Sequence, residues 1–387
     1  MALFQYFPSN YVWNLSIAIA LDSGAKIGEI EDMCRPLLDA AARGEDAGTA
    51  QFLERWVEMG DRLVALADED LALGRGFSAA DKLNRASLYF QVAERMQGHG
   101  APGREQTYAK ALTSFRRAVE AGARNFRRVE IPYEGGAIAG YLTSAEGVDG
   151  PAPLAVYVNG LDSTKEMLAW SGLPEALAKR GISTLSIDQP GTGEALRLHG
   201  LHAVYDTERW ASPVVDWLER QTQVDPARIA IGGISLGGYY APRAVANERR
   251  FAAGFAWGAN HNWGEVQAAR RRNEGERPVP HYWTHVCWVW GAKDIDAFMA
   301  LCPNITLDGQ MRKIEVPFLI THGEKDRQIP LKYAHQSYDQ LTQSPRRELK
   351  IFTAREGGVE HVGADNMSFG REFIADWLAE TLGGRTA

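Results

Sequence analysis

Cysteine is scarce in this chain. Cys34, Cys287 and Cys302 are the whole complement among 387 residues, an odd number with no C-x-x-C spacing. That excludes a disulfide framework and a thiolate zinc site and favours a reducing compartment, so the expected location is cytoplasmic. An excess of cations is missing too: 42 Lys and Arg stand against 49 Asp and Glu, a formal net charge of −7. Such a balance leaves no electrostatic footprint for nucleic acid or an anionic membrane. Long apolar runs are also absent. Tyr11 to Leu21, the most apolar N-terminal stretch, lacks a basic flank, contains Asn14 and falls short of the ~20 residues that span a bilayer, so a packed segment is expected. The partner these exclusions leave is a small molecule or another protein. What the chain does have is a globular composition, 45% hydrophobic and 24% charged, long enough for two or three domains or one large domain with an added layer. It also has eleven tryptophans, five of which (Trp257, Trp263, Trp283, Trp288 and Trp290) crowd one short stretch.

The pattern changes near residue 125. From Lys26 to Ala121 apolar residues recur at three and four, as in Phe52 to Leu66 and Leu83 to Met96, which predicts a helical domain or cap over residues 1–124. Ser78 and Asp81 have the spacing of a capping box at the start of the second segment. Ala86/Phe90 and Ala111/Phe115 share an A-x-x-x-F spacing, but two copies are too few for a solenoid, and ordinary helix packing is expected. After Arg124, short apolar runs alternate with helical stretches, the rhythm of an α/β fold with a mostly parallel sheet covered on both faces. Eight strands are expected, at Phe126 to Tyr133, Ala137 to Leu142, Leu154 to Val158, Ser183 to Ile187, Ile229 to Ile231, Ala253 to Ala256, Phe318 to Thr321 and Leu349 to Thr353. Helices are expected at Lys165 to Arg180, Glu208 to Gln221, Tyr239 to Ala246, Leu331 to Thr342 and Ser368 to Leu382. The aromatic segment from about 263 to 312 breaks the rhythm and reads as an insertion over the carboxyl edge of the sheet, where open α/β sheets bind ligands. Arg270 to Arg272 within it read as a solvated helix face.

Gly233-Ile234-Ser235-Leu236-Gly237 follows one expected strand and precedes a helix. A serine on such a sharp turn needs small neighbours, and the turn lifts the hydroxyl above the sheet edge while the helix N-terminus favours developing negative charge. A serine hydroxyl needs a base and an orienting acid, in the order Ser, Asp, His on this topology. Asp326 lies just past the strand at Phe318 to Thr321, and His361 past the strand at Leu349 to Thr353. Glu324 and Glu360 compete with Asp326 for the acid role, and His322 with His361 for the base; the longer turn favours Asp326, and His322, preceding the acid, suits a structural role. The N–H groups of Leu161 and Leu236 are placed to form an oxyanion hole, unless Asn159 to Ser163 is a plain strand-to-helix turn. Trp257, His261, Trp263 and Asp162 are expected at the substrate pocket. Glu265 is either a helix-start glutamate facing solvent or, in an aromatic, water-poor pocket, a carboxyl of raised pKa that manages the proton on a departing carbon. Asp188 to Glu194 lacks the phosphate-loop pattern and reads as a rigid loop lining the site. His281 and His285 share H-x-x-x-H spacing but have no evident third ligand, so no metal is expected.

At these residues the chain resembles the α/β-hydrolases. More narrowly it resembles the group containing bacterial 2,6-dihydroxypseudooxynicotine hydrolase and the fungal polyketide-shortening hydrolases of melanin pathways, through N-G-L-D-S-x-K-E (Asn159 to Glu166), D-x-P-G-x-G-E (Asp188 to Glu194), G-I-S-L-G-G (Gly233 to Gly238) and the W-G-A segment ending at Glu265. The resemblance implies cofactor-independent hydrolysis of a carbon–carbon bond next to a carbonyl, with Ser235, Asp326 and His361 as triad and Glu265 as additional acid. It also implies a homodimer. An aryl ketone or β-dicarbonyl is then the expected substrate; an ester, lactone or amide hydrolase, an acyltransferase, and a non-catalytic binding protein on the same scaffold are the alternatives.

Overall fold

Seven successive residues of Ala152–Val158, all five of Ser183–Ile187 and all five of Ala253–Trp257 are buried, as strands must be when both faces of a sheet are covered. The computed structural model describes residues 3–8, 10–43, 49–122 and 124–387. Its eight strands are β1 (Arg127–Tyr133), β2 (Gly136–Thr143), β3 (Ala152–Val158), β4 (Ser183–Ile187), β5 (Val224–Ile234), β6 (Ala253–Trp257), β7 (Phe318–Gly323) and β8 (Arg347–Phe352). They form one sheet in the order β1-β2-β4-β3-β5-β6-β7-β8, antiparallel at β1, β2 and β4 and parallel between all other neighbours. This is the eight-stranded, mostly parallel sheet that the rhythm of the sequence predicts, in the arrangement that the resemblance to the α/β-hydrolases implies. Tyr157, Phe255, Trp257 and Leu319 bury one face against Leu177, Ile374 and Leu378, while the helix Gly237–Asn247 packs against β5 and β6.

The chain divides into two compact units. The sheet unit holds residues 127–276 and 286–387, and the helical unit holds Leu3–Phe126 together with Arg277–His285, a piece drawn from the expected insertion. Residues 44–48, inside the expected helical region, lie outside the described residues. Tyr11–Asp22 is a helix capped by Asn10, whose side chain accepts from Trp13 N–H. Within the helical unit, Phe7, Trp13, Phe52, Trp56 and Tyr89 form a continuous chain of ring contacts, with centroids 4.8–5.7 Å apart. Ala86 and Phe90 of the helix Gly76–Arg95, and Ala111 and Phe115 of the helix Arg104–Gly122, are all fully buried.

Two local expectations are corrected. Ser78 is no cap: Arg75 N–H closes the preceding helix on Asp70 O, the next helix starts at Gly76, and Ser78 lies exposed inside it. The single helix expected over Lys165 to Arg180 is two, Lys165–Trp170 and Leu173–Lys179. Gly172, at φ +72°, leaves the helical conformation between them, and Pro174 sits in the first turn of the second helix, where its missing N–H costs nothing.

Candidate active site

β5 ends at Ile234 and the helix Gly237–Asn247 begins three residues later, so Ser235 sits on the turn between them. Its φ is +57°, the left-handed region that a side chain enters only under local strain. The turn is so tight that a Cβ on Gly233 would lie 2.5 Å from the carbonyl oxygen of Gly237. Trp257 O, at the end of β6, accepts the Ser235 N–H at 2.9 Å and anchors the strained residue to the sheet. Leu236 forms the N-cap of that helix, and the N–H groups of Gly238 and Tyr239 turn back to Ser235 O and Leu236 O at 2.8 and 2.9 Å.

Three loops at the carboxyl ends of β5, β7 and β8 converge here. Ser235 Oγ donates to His361 Nε2 at 2.8 Å, and His361 Nδ1 donates to Asp326 Oδ2 at 2.8 Å. Asp326 is fully buried, and its second oxygen accepts the N–H groups of Gln328 and Ile329 at 2.8 and 2.9 Å. Burial alone would raise this carboxyl, but the adjoining His361, aided by His322 and the backbone donors, outweighs it and holds the pKa below the ordinary value. An ionised acid fixing the Nδ1 proton leaves Nε2 free to take the hydroxyl proton, which is what nucleophilic attack by serine requires.

The competitors for these roles are engaged elsewhere. Glu360 pairs with Arg327 at 3.0 and 3.2 Å, and Glu324 accepts from Ala354 N–H. His322 is buried in β7, where Ala259 N–H donates to its Nδ1 and its Nε2 donates to Ile329 O; burial lowers its pKa, so it stays a neutral brace for the Asp326 loop. Arg270, expected on a solvated face, is instead 4% exposed and donates to Gln328 O at 3.1 Å, a second brace for the same loop. Its role was invisible in the sequence because Arg271 and Arg272 beside it are ordinary exposed ion-pairing residues.

Glu265 is the main correction. Asn262 caps the helix Trp263–Arg271, its Oδ1 accepting Glu265 N–H, which leaves the glutamate on the first turn. Its side chain is 53% exposed, 3.3 Å from Lys332, in a groove shared with Arg272 and Tyr333. A hydrogen bond from Tyr333 and the nearby Lys332 lower its pKa, the reverse of the rise expected in a water-poor pocket. Two pocket assignments also shift. The Trp257 ring belongs to the hydrophobic core with Met367 and Ile374, so only its carbonyl serves the site. His261 is buried against Ser337, 3.0 Å from its Oγ, and burial lowers its pKa. Trp263 stacks on Trp290 at 5.6 Å and meets Phe298 edge-on, while Asp162 is half-buried in the turn after β3. Asn260, which sequence reasoning passed over, is buried and donates to Ser235 O at 3.4 Å.

Comparison with known proteins agrees with this architecture. The prolyl oligopeptidase family model matches residues 175–385, and the FrsA-like esterase model matches residues 62–260. Hydrolase LUC6 of Fusarium sp is 30% identical over 98% of this chain and 99% of its own length. The 2,6-dihydropseudooxynicotine hydrolase of Paenarthrobacter nicotinovorans is 25% identical over 86% of this chain and 84% of its own. Among solved structures, that of 2,6-dihydroxy-pseudo-oxynicotine hydrolase superposes with a TM-score of 0.75 over 95% of both chains, at 24% identity. With that sheet, that turn and a full-length relative of this similarity, the chain belongs to the α/β-hydrolases.

Proposed function

We propose that the protein is a serine hydrolase that cleaves a carbon–carbon bond next to a carbonyl in an aryl ketone or β-dicarbonyl compound. The continuous hydrogen-bonded line Ser235–His361–Asp326 carries this reading. Ser235 Oγ attacks the carbonyl carbon as its proton passes to His361 Nε2, and the ionised Asp326 stabilises the imidazolium. Leu236 N–H and Leu161 N–H receive the oxyanion. Collapse of the tetrahedral intermediate expels an enolate-like carbon, which takes its proton from His361 Nε2. Water, deprotonated by the same nitrogen, then releases the acyl group from Ser235. Glu265 is left out of the proton path because it is ionised, paired and in contact with water.

The same exposure of Glu265 favours a second reading, ester hydrolysis by the same three residues, since an ester's alkoxide needs no additional acid. A fluorophosphonate probe and a matched pair of substrates, an aryl β-diketone and an aryl ester of the same acyl group, separate the readings. We expect stoichiometric labelling, abolished in S235A, and turnover of the diketone to a ketone and a carboxylic acid. Labelling with turnover of the ester alone would replace the first reading by the second. No labelling of the native protein would end both and leave a non-catalytic binding protein.

A further inference from the structure

Two motifs of the sequence, Asn159 to Glu166 and Asp188 to Glu194, are not used by the proton path, yet they pack together just behind the nucleophile. β3 and β4 are parallel neighbours in the register Val158↔Ile187, so Asn159 and Asp188 leave the sheet at the same level. The Asn159 side chain donates to Ile187 O at 2.7 Å and to Asp188 Oδ1 at 3.3 Å. Gln189 then grips the Asn159 main chain twice: its Oε1 accepts Asn159 N–H at 3.0 Å, and its Nε2 donates to Asn159 O at 3.0 Å. One side-chain amide thus satisfies both polar groups of one residue and extends the β3–β4 ladder beyond the last strand pair. The next residue is Gly160, where an added Cβ would lie 2.9 Å from Ser235 Cβ and 3.3 Å from its Oγ. A displacement of a few tenths of an ångström at Asn159 is therefore passed to backbone already in contact with the nucleophile.

Gln189 is itself held from behind. Asp188 accepts four donors: Lys165 N–H at 2.7 Å, Lys165 Nζ at 3.0 Å, Glu194 N–H at 2.9 Å and the Asn159 amide. Lys165 Nζ also lies 2.7 Å from Glu166 and 2.6 Å from Glu194, and Arg128 grips Glu194 through two nitrogens at 2.9 and 2.8 Å. Lys165, Glu166 and Asp188 are completely buried. Burial of that many charges is a poor source of stability compared with apolar packing, but it does force a single geometry on the groups it joins.

We propose that Gln189, braced by the Lys165–Asp188 pair, is a positioning residue that sets the backbone of Asn159 to Leu161 against Ser235 for oxyanion stabilisation. The proposal rests on the serine-hydrolase reading above. It is tested on the full-length protein by the rate constant of Ser235 phosphonylation with a fluorophosphonate, followed from pH 5 to 9, and by the affinity for an aryl trifluoromethyl ketone. Gln189→Ala should remain folded, by circular dichroism and thermal unfolding, and lose about 10²-fold in both rate and ketone affinity, the scale of one oxyanion donor. The midpoint of its pH profile should stay that of the native protein, because His361 and Asp326 are untouched. Gln189→Met keeps the volume, adds no titrating group and loses both contacts with Asn159, so a similar loss is expected, and it decides the matter on the same criteria should the alanine variant not fold. A native rate in the folded variant overturns the proposal, as does a loss that travels with a shifted midpoint, since the effect then runs through the imidazole. Failure of the native protein to react at all removes the serine-hydrolase reading instead, a distinguishable result.

Discussion

Lys165 and Lys332 each hold a carboxylate, Asp188 at 3.0 Å and Glu265 at 3.3 Å. The first pair is wholly buried in the parallel sheet's loops; the second is more than half exposed on both sides. In water such a contact is worth about 0–1 kcal/mol and is screened by salt, whereas removing one partner of a buried pair strands a charge at a cost of about 3–5 kcal/mol. A lysine and a carboxylate at nearly the same separation are thus a fixed part of the scaffold at one place and an incidental surface contact at the other. Burial, and the number of donors surrounding each carboxylate, makes the difference.

Replacing Lys165 by methionine strikes the comparison hardest. It leaves Glu166, Asp188 and Glu194 buried, with Arg128 still paired to Glu194, and unfolding in urea should show a loss of about 3–5 kcal/mol. Burial already pushes Glu166 above its ordinary pKa, so protonation should relieve part of that loss, and the deficit should be smaller at pH 5 than at pH 8. A variant within 1 kcal/mol of native would show that the cluster is no more than a second surface pair.

An intermediate case is Glu248, whose carboxylate accepts three nitrogens of Arg250 while Arg250 also reaches Asp216 and Glu219. The hydrogen bonds from Arg250 hold Glu248 at about 2, against an ordinary value of 4.5. For an acid whose folded pKa is depressed, the stabilisation is present above the unfolded value and lost as pH falls through the folded one. The stability difference between native protein and E248Q should therefore be full above pH 4.5, about 1 kcal/mol after screening, and should vanish as the pH approaches about 2. Parallel stability curves across that range would contradict the assignment.

The smallest effect is expected at the exposed pair. E265Q should change stability by less than about 0.5 kcal/mol, with the difference erased by 1 M salt, and should leave kcat/KM within a few-fold of native. A loss of 10²-fold or more in turnover of the β-diketone, with unchanged labelling of Ser235, would return Glu265 to the proton path and reverse the ranking of the two lysine contacts.

Most of the sheet was legible in advance because buried parallel strands announce themselves as short runs such as Leu154 to Val158, and their spacing by helices leaves few alternative topologies. The Ser235 turn was legible for a related reason: its constraint is local, between residues two to four positions apart, where glycine at 233 answers a specific clash. Asp326 and His361 could be placed because each follows a strand, although they lie 35 residues apart. The electrostatic surroundings were not legible. Glu265, beside tryptophans, reads equally as an apolar-pocket carboxyl or a helix-start glutamate facing solvent; Trp257 turns into the core while the glutamate turns outward. Arg270 looked like its two neighbours and is buried. Lys165 and Gln189 lie in two quoted motifs, but nothing in those motifs marks either side chain as buried.

The amino-acid sequence alone determined which segments become strands, where the backbone must bend sharply enough to present a hydroxyl, and that Asp326 and His361 follow Ser235 at the ends of later strands, because each depends on near neighbours or on one-dimensional rhythm. Tertiary structure alone decided which charges lose contact with water. That depends on side chains that meet only after β3 and β4 align, as Lys165 and Asp188 do, and a lysine's letter is the same whether solvent or three carboxylates surround it.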